Sequence, residues 1–284
     1  MDNKRQKHRI HRSINRILLG LIFVFIVGAT AIFLRLYVIA SYHVSTPSME
    51  PTIMPGDYIL VNQLLLGARY FKKNVVKRVP GFRKIKRNDI LVFNFPHLES
   101  MDIDVSVHYV KRCVAIAGDS LYIKNGFYRV IGLPDTLGFV DYQLRLSVLD
   151  RSFLPWGSWR TIPKDPLHEW TVKEMGPIYI PERGDTVPLS KYNIGLYSDA
   201  IAYESKQKIE IRADTILLGK IPISNYVFQN NYYFMAGDNV FDSADSRYWG
   251  LLPEDHIIGK AVIIWNSKDL KTKKINFKRI FNLI

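Results

Sequence analysis

Residues 45–57, with the sequence S-T-P-S-M-E-P-T-I-M-P-G-D, place one serine between two prolines. Proline fixes its own φ and disfavours the helical region for the residue before it, so Pro47 and Pro51 predict a stiff, extended, non-helical presentation of Ser48. A serine hydroxyl becomes a good nucleophile only when a nearby base removes its proton. The alternative is an ordinary surface loop, in which serine and proline are common.

Lys111 is the candidate base, because it lies in the apolar run Y-V-K-R-C-V-A-I-A of residues 109–117. Strand alternation places it on the same face as Tyr109 and Cys113, with Arg112 on the opposite face. Burial disfavours the charged form of an amine, so a lysine there can be neutral near its working pH and accept a proton. None of the histidines occurs in a recognisable triad signature. The alternative for a Lys-Arg pair is the protection of an edge strand.

Residues 237–250 form a third polar cluster, G-D-N-V-F-D-S-A-D-S-R-Y-W-G. Counted from Asp238, the three aspartates Asp238, Asp242 and Asp245 fall at positions 1, 5 and 8, whereas a calcium loop needs ligands at 1, 3 and 5 and a glycine at 6. We therefore predict no metal and no cofactor. Acid, amide and hydroxyl groups this close to Arg247 indicate a hydrogen-bonded scaffold instead.

An uncharged apolar segment, residues 17–34 (ILLGLIFVFIVGATAIFL), precedes the serine. As a helix rising about 1.5 Å per residue it can cross a hydrocarbon layer of about 30 Å, so we predict a transmembrane anchor at 17–40. A cleaved signal peptide is the alternative, because Ala29-Thr30-Ala31 has the small-x-small pattern, but the apolar run continues past it. Six of the first sixteen residues are Lys or Arg, which predicts that residues 1–16 are cytoplasmic and that the chain after residue 40 lies outside.

The formal net charge of +13 is concentrated at the two ends of the chain. Residues 1–16 and 267–284 each carry +5, and the 250 residues between them carry the remaining +3, which argues against nucleic acid as a partner. The basic C-terminal tail, 267–284, is most simply a solvated end, and its alternative is contact with anionic lipid headgroups. The single cysteine excludes an internal disulfide.

Short β-branched and aromatic runs bounded by turn residues make up most of the remaining chain. They predict strands at 58–62, 90–95, 109–117, 121–124, 127–131, 232–236 and 257–265, with a hairpin turn at Asn125-Gly126. No long helical periodicity is found outside the anchor. We predict a mainly β fold, in which an antiparallel β-sheet catalytic domain at 41–131 and 232–266 carries an inserted second subdomain, or cap, at 132–231.

Three tryptophans, Trp156, Trp159 and Trp170, are the candidate core of the cap. The alternative is an aromatic surface resting in the interfacial zone of a membrane, where tryptophan is enriched.

Taken together, S-M-x-P-T at Ser48, Y-V-K-R at 109–112 and G-D-N-x-x-x-S-x-D-S-R at 237–247 resemble the motifs of bacterial type I signal peptidases, in that order and after an N-terminal anchor. The resemblance implies that Ser48 is the nucleophile and Lys111 the general base of a Ser-Lys dyad. It also implies that Ser243 orients the lysine and that the Ser48 N–H contributes to an oxyanion hole. Four charged side chains are expected to brace the site: Asp238, Asp245, Arg112 and Arg247.

The resemblance further implies that signal peptides of exported preproteins bind as an added β-strand, with small side chains at the first and third positions before the cut. The implied substrate-binding residues are Met49, Ile90, Val92, Val107 and Tyr109. Thr46 stands where many relatives have a serine, and its hydroxyl is expected to donate to the oxyanion.

The expected location is the bacterial inner membrane, with a single span beside the lipid bilayer and the catalytic domain on the extracytoplasmic side. The cap looks most like that of signal peptidases from the Bacteroides group. Two alternatives are another Ser-Lys processing peptidase, such as a conjugation-pilin enzyme, and a non-catalytic membrane-tethered binding protein.

Overall fold

The computed structural model describes residues 2–72, 75–96, 103–154 and 158–284. Trp156, one of the three tryptophans predicted for the core of the cap, lies outside the described residues. Four α-helices occur in the described chain: α1 (Asp2–Phe33), α2 (Val140–Val148), α3 (Ile194–Ser205) and α4 (Ser246–Trp249). A π-helical turn, Leu34–Val38, follows α1, and 3-10 turns occur at Pro47–Met49, Arg151–Phe153 and Glu254–His256.

Seventeen strands lie within the same described residues. They are β1 (Ile39–His43), β2 (Asp57–Asn62), β3 (Arg69–Lys72), β4 (Val75–Arg78), β5 (Ile90–Asn94), β6 (His108–Ala115), β7 (Ser120–Lys124), β8 (Phe127–Val130), β9 (Met175–Tyr179), β10 (Thr186–Pro188), β11 (Ile209–Arg212), β12 (Thr215–Leu218), β13 (Ile221–Ile223), β14 (Asn225–Val227), β15 (Tyr232–Ala236), β16 (Leu252–Pro253) and β17 (Ile257–Ser267).

The N-terminal helix contains a stretch, Asn15–Phe33, that is long and apolar enough to cross a membrane, and none of it is buried within the protein. Residues 39 and 40, which the sequence prediction placed in the anchor, instead begin β1. Hydropathy alone does not distinguish them, because an apolar strand that follows an apolar helix continues the same run of residue types.

Seven of the seventeen strands form an antiparallel sheet in the order β1-β2-β17-β5-β6-β15-β16. Strand accounts for 33% of the chain and helix for 22%, and the sheet curls into a half-barrel, which confirms the predicted mainly β class. Although three strands lie between β1 and β6 in this order, the rings of Tyr42 and His108 are only 5.0 Å apart. The curl therefore brings β1 and β6 together around a groove.

The predicted strands agree with the observed ones to within two residues at each end. The Asn125-Gly126 turn has positive φ at both residues, 52° and 82°, as the two-residue hairpin between β7 and β8 requires. In a second sheet, of order β8-β7-β9, this hairpin pairs with a strand from the predicted cap. The division of the chain at residues 131 and 132 remains a prediction.

The sequence shows no long helical periodicity outside the anchor, but two helices of nine and twelve residues, α2 and α3, lie within 132–231. In α2 the polar Gln143 is fully buried while Leu144 and Val148 are exposed, which inverts the usual amphipathic pattern. In α3 the buried residues share one face, but apolar Ala202 and Tyr203 lie outside it and weaken the amphipathic contrast. The buried residues are Ile194, Leu196, Tyr197, Ala200 and Ile201.

Two hydrophobic clusters bear on the site and on the predicted cap. One lies under the Ser48 turn and includes Val44, Met49 and Ile53, all buried. The larger one joins β6 and β15 of the main sheet to the cap, and Trp159 and Trp170 pack half-buried against it.

The C-terminal tail is not a free solvated end. Its last residues return along β17, where Phe281 N donates to Ile264 O at 2.6 Å and Ile284 N donates to Val262 O at 3.2 Å. Arg279 forms an ion pair of 2.6 Å with the buried Asp57, which closes the loop of the tail onto β2. The prediction missed this because residue composition does not reveal a buried carboxylate more than two hundred residues away.

Candidate active site

Ser48 lies in the middle of the 3-10 turn Pro47–Met49, which is closed by a hydrogen bond from Glu50 N to Pro47 O of 3.0 Å. The predicted extended conformation of Ser48 is therefore wrong. The residues that precede prolines, Thr46 and Glu50, are indeed extended, with ψ of 151° and 143°. Ser48 precedes a methionine, so the steric restriction does not apply to it. Its side chain is 6% exposed and faces the groove.

Lys111 reaches this serine from β6. Its Nζ lies 2.7 Å from Ser48 Oγ and donates to Val110 O at 3.0 Å. The ammonium also lies 5.2 Å from the centre of the Tyr109 ring. Burial lowers the pKa of Lys111 to about 8, against the opposing effect of the nearby Asp245 carboxylate. A substantial fraction of the amine is therefore neutral near pH 8 and able to accept a proton.

Arg112, the next residue on β6, points to the other side of the strand and binds Asp238 with two hydrogen bonds. Arg112 Nε donates to Asp238 Oδ1 at 2.7 Å, and its Nη2 donates to Oδ2 at 2.6 Å. Thr52 Oγ1 donates to the same carboxylate at 2.5 Å. Because Thr52 follows the Ser48 turn, this pair connects the strand of the lysine to the loop of the serine.

A second ion pair, between Asp245 and Arg247, lies wholly inside the protein, and both side chains are inaccessible to solvent. Arg247 donates through Nε and Nη2 to the two carboxylate oxygens, each at 2.8 Å, and Asp245 Oδ2 also accepts from Gly237 N at 3.0 Å. Burial disfavours the carboxylate, but the charge of Arg247 outweighs it and lowers the pKa of Asp245. Arg112 takes no part in this pair, so the bracing expected from the four charged residues is divided between two separate ion pairs.

Ser243 does not make its expected hydrogen bond to Lys111. Its Oγ is buried and has no hydrogen-bond partner among the described residues. It packs instead against Gly237, where an added Cβ would overlap Ser243 Oγ and lie 2.5 Å from Ser48 O. Only glycine leaves room for the serine turn at this position.

Asn239 holds the backbone of the serine turn, a role that sequence reasoning missed. Its N–H donates to Ser48 O at 3.1 Å and its Nδ2 donates to Pro47 O at 3.2 Å. The signal available was the asparagine of the G-D-N motif at 237–239. Thr46 Oγ1 lies 3.4 Å from Ser48 Oγ, so its hydroxyl stands beside the proposed nucleophile.

The groove contains a cavity of about 390 Å³, hereafter the Ser48 cavity, whose wall includes both Ser48 and Lys111. Of the predicted substrate-binding residues, Val92 and Tyr109 line it, whereas Met49, Ile90 and Val107 do not. Met49 and Ile90 belong to the core cluster beneath, and the 3-10 turn directs Met49 inward. The wall also contains residues the prediction omitted, among them Tyr42, His43, His108, Val110, Asp242 and Ala244.

No group of three or more His, Cys, Asp or Glu side chains suited to a metal ion occurs in the described parts of the chain. The site thus combines a buried serine hydroxyl, an amine of lowered pKa and an open cavity, which is suited to nucleophilic attack on a carbonyl.

Comparison with known proteins supports this chemistry. The family model described as "Signal peptidase, peptidase S26" matches residues 16–137 and 182–266, well over half of the chain. The chain belongs to this signal peptidase family. Members of this family are serine endopeptidases, so the protein is a hydrolase.

Curated relatives in the family are similar over most of their length. The "Signal peptidase I" of Buchnera aphidicola subsp. Baizongia pistaciae is 26% identical over 93% of this chain and 80% of its own. The relative from Aquifex aeolicus is 27% identical over 86% of this chain and 82% of its own. The relative from Pseudomonas aeruginosa is 26% identical over 87% of this chain and 72% of its own. The signal peptidase model leaves residues 138–181 of the cap unmatched, and the Bacteroides likeness of the cap remains a prediction.

Proposed function

We propose that Ser48 and Lys111 are the nucleophile and the general base with which this signal peptidase removes signal peptides from exported preproteins. The observation that carries the proposal is the 2.7 Å approach of Lys111 Nζ to Ser48 Oγ on the wall of an open cavity. Burial of an amine costs free energy, and a catalytic role explains why the chain bears that cost at this position.

The chemical steps follow from this contact. Neutral Lys111 takes the proton of Ser48 Oγ while Oγ attacks the carbonyl carbon of the scissile peptide bond. The Ser48 N–H, which makes no hydrogen bond within the described chain, and the Thr46 hydroxyl lie beside the attacking oxygen and supply donors for the oxyanion. The lysine ammonium then gives its proton to the leaving amine. Lys111, neutral again, activates the water that hydrolyses the acyl-enzyme.

The edges of the sheet suit a substrate bound as a strand. Of the described strands, β1 pairs only with β2, and residues 108–111 of β6 pair only with β5, so each presents an unpaired edge to the groove. An extended peptide between these edges finds backbone donors and acceptors. Small side chains at the first and third positions before the cut would then face the apolar wall made by Val44, Val92 and Val110.

We also propose that α1 anchors the enzyme in the bacterial cytoplasmic membrane with its basic N-terminus inside and the sheet outside. The excess of Lys and Arg in residues 1–16 supports this orientation. A further lipid contact is proposed for the tail surface, which we define as the exposed apolar residues Phe277, Phe281 and Leu283 with the tail lysines between and before them. Exposed aromatic groups and basic charge together suit an anionic membrane surface.

The direct test is cleavage of a preprotein by the purified full-length chain in detergent, with the product mass measured. We expect release of the mature portion, and loss of cleavage in Ser48→Ala and in Lys111→Ala. The matched controls, exposed Ser106→Ala and Lys191→Ala, should cleave as well as the parent chain. Full cleavage by either dyad variant would refute the assignment, and absence of any cleavage by the parent chain would refute the function.

A further inference from the structure

Asp242 places a carboxylate on the wall of the Ser48 cavity. Among the described residues that line this cavity it is the only acid, and most of its neighbours are apolar or aromatic, such as Val92, Val110 and Ala244. The other charged group of the wall is Lys111, which must lose its charge to act as a base. A substrate lying in the cavity therefore meets one fixed negative charge.

This carboxylate is exposed to solvent. No hydrogen bond or ion pair involves its side chain within the described residues. The other two aspartates of the loop differ sharply, since Asp238 binds Arg112 and Asp245 binds Arg247. The Asp242 backbone is nonetheless held in place, because its N–H donates to Asn239 O at 3.1 Å.

Water hydrates this exposed carboxylate in the free enzyme, and a peptide that covers the cavity wall displaces part of that water. A ligand that supplies the opposite charge at this point offsets the loss. Inside a cavity with apolar walls such an interaction is stronger than in water, because the effective dielectric constant is lower. The same reasoning makes a second negative charge at this point unfavourable, since two carboxylates repel each other and neither finds a cation.

We propose that Asp242 determines substrate specificity by selecting preproteins with a Lys or Arg side chain close to the scissile bond and by disfavouring Asp or Glu there. The proposal rests on the function assigned to the dyad above, and it adds a preference that small apolar pockets cannot supply. Asp242 binds the substrate side chain and takes no part in proton transfer.

The test compares peptides that are identical except at one position, which holds Lys, Gln or Glu. Six series move this residue through the three positions before the cut and the three after it. Full-length enzyme in detergent is assayed at low ionic strength and pH 8.5, where His108 on the same wall is neutral because burial lowers its pKa. We expect kcat/KM for Lys to exceed that for Glu by roughly tenfold in at least one series, and added salt to reduce the ratio.

Variants then assign the preference to one residue. Asp242→Asn should bring the Lys-to-Glu ratio within about twofold of unity, and Asp242→Lys should invert it. Asp214→Asn, at an exposed position of the cap, is the matched control and should keep the parent ratio.

The proposal is overturned if no series of peptides shows a difference in kcat/KM between Lys and Glu, or if Asp242→Asn keeps the parent ratio. It is also overturned if Asp242→Asn slows cleavage of all three peptides equally, because the residue would then act on Lys111 or on the loop. Failure of the parent enzyme to cut even the Gln peptides would instead refute the proposed function. The two failures are therefore distinguishable.

Discussion

Ser48 Oγ and Lys111 Nζ lie 2.7 Å apart although 63 residues separate them in the chain. Neither side chain is more than 6% exposed, so the contact is shielded from water on most sides. The same burial that brings the two groups together also lowers the pKa of the amine, to about 8. One geometric feature therefore provides both the proximity and the basicity that nucleophilic attack requires.

The pH dependence of cleavage should follow the ionisation of Lys111. Only the neutral amine accepts the serine proton, so kcat/KM should rise about tenfold per pH unit below pH 8 and level off above it. Initial rates on a peptide without titrating side chains, from pH 6 to pH 10, measure this profile. A flat profile, or a midpoint near the ordinary lysine value of about 10.4, would contradict the role of the buried amine.

Replacement of Lys111 by methionine should abolish activity without destabilising the fold. The folded-state pKa is lower than the unfolded one, so the folded enzyme bears an unfavourable buried charge below pH 8 and loses that penalty as the pH rises from about 8 to about 10.5. Lys111→Met should therefore be more stable than the parent at pH 7, by up to about 3 kcal/mol, with a difference that shrinks toward pH 10. Thermal unfolding of both proteins across this pH range is the measurement, and a variant less stable at pH 7 would contradict it.

The buried ion pair of Asp245 and Arg247 should be essential to stability. Arg247→Met leaves the Asp245 carboxylate uncompensated in the interior, and we expect a loss of about 3–5 kcal/mol in the free energy of unfolding. The matched control is Arg212→Met, which breaks an ion pair with Glu210 whose side chains are 74% and 48% exposed. That variant should lose less than about 1 kcal/mol. Denaturant titration in detergent compares the two, and equal losses would contradict the argument.

The tail surface should report contact with lipid. The single native cysteine, Cys113, is fully buried and burial raises the pKa of its thiol, so an introduced surface cysteine can be labelled selectively. With a polarity-sensitive dye at Phe281→Cys in full-length enzyme reconstituted into anionic vesicles, we expect a blue-shifted emission that weakens in neutral vesicles. The control, Asp214→Cys in the cap, should keep an aqueous spectrum. Identical spectra at the two positions would contradict contact between the tail and the membrane.

Several features of this protein follow from its sequence because they depend on local chemistry. The apolar helix, the Asn125-Gly126 turn and the alternating strands are properties of residues that are neighbours in the chain. The motifs at Ser48, Lys111 and 237–247 identified the residues that the structure gathers near one groove. Where local patterns were misleading, as with Gln143 buried in α2, packing against distant strands overrode them.

Only the tertiary structure decided how these parts meet. The curl of the sheet brings β1 to β6 and opens the Ser48 cavity, the 3-10 turn sends Met49 into the core, and Arg279 ties the tail to Asp57. It also separates Arg112 from Asp245, leaves Ser243 without its expected partner and exposes the unpaired Asp242 to the cavity. These outcomes depend on long-range strand pairing and on competition among buried charges for partners, and neither is encoded in the order of residues within any one segment.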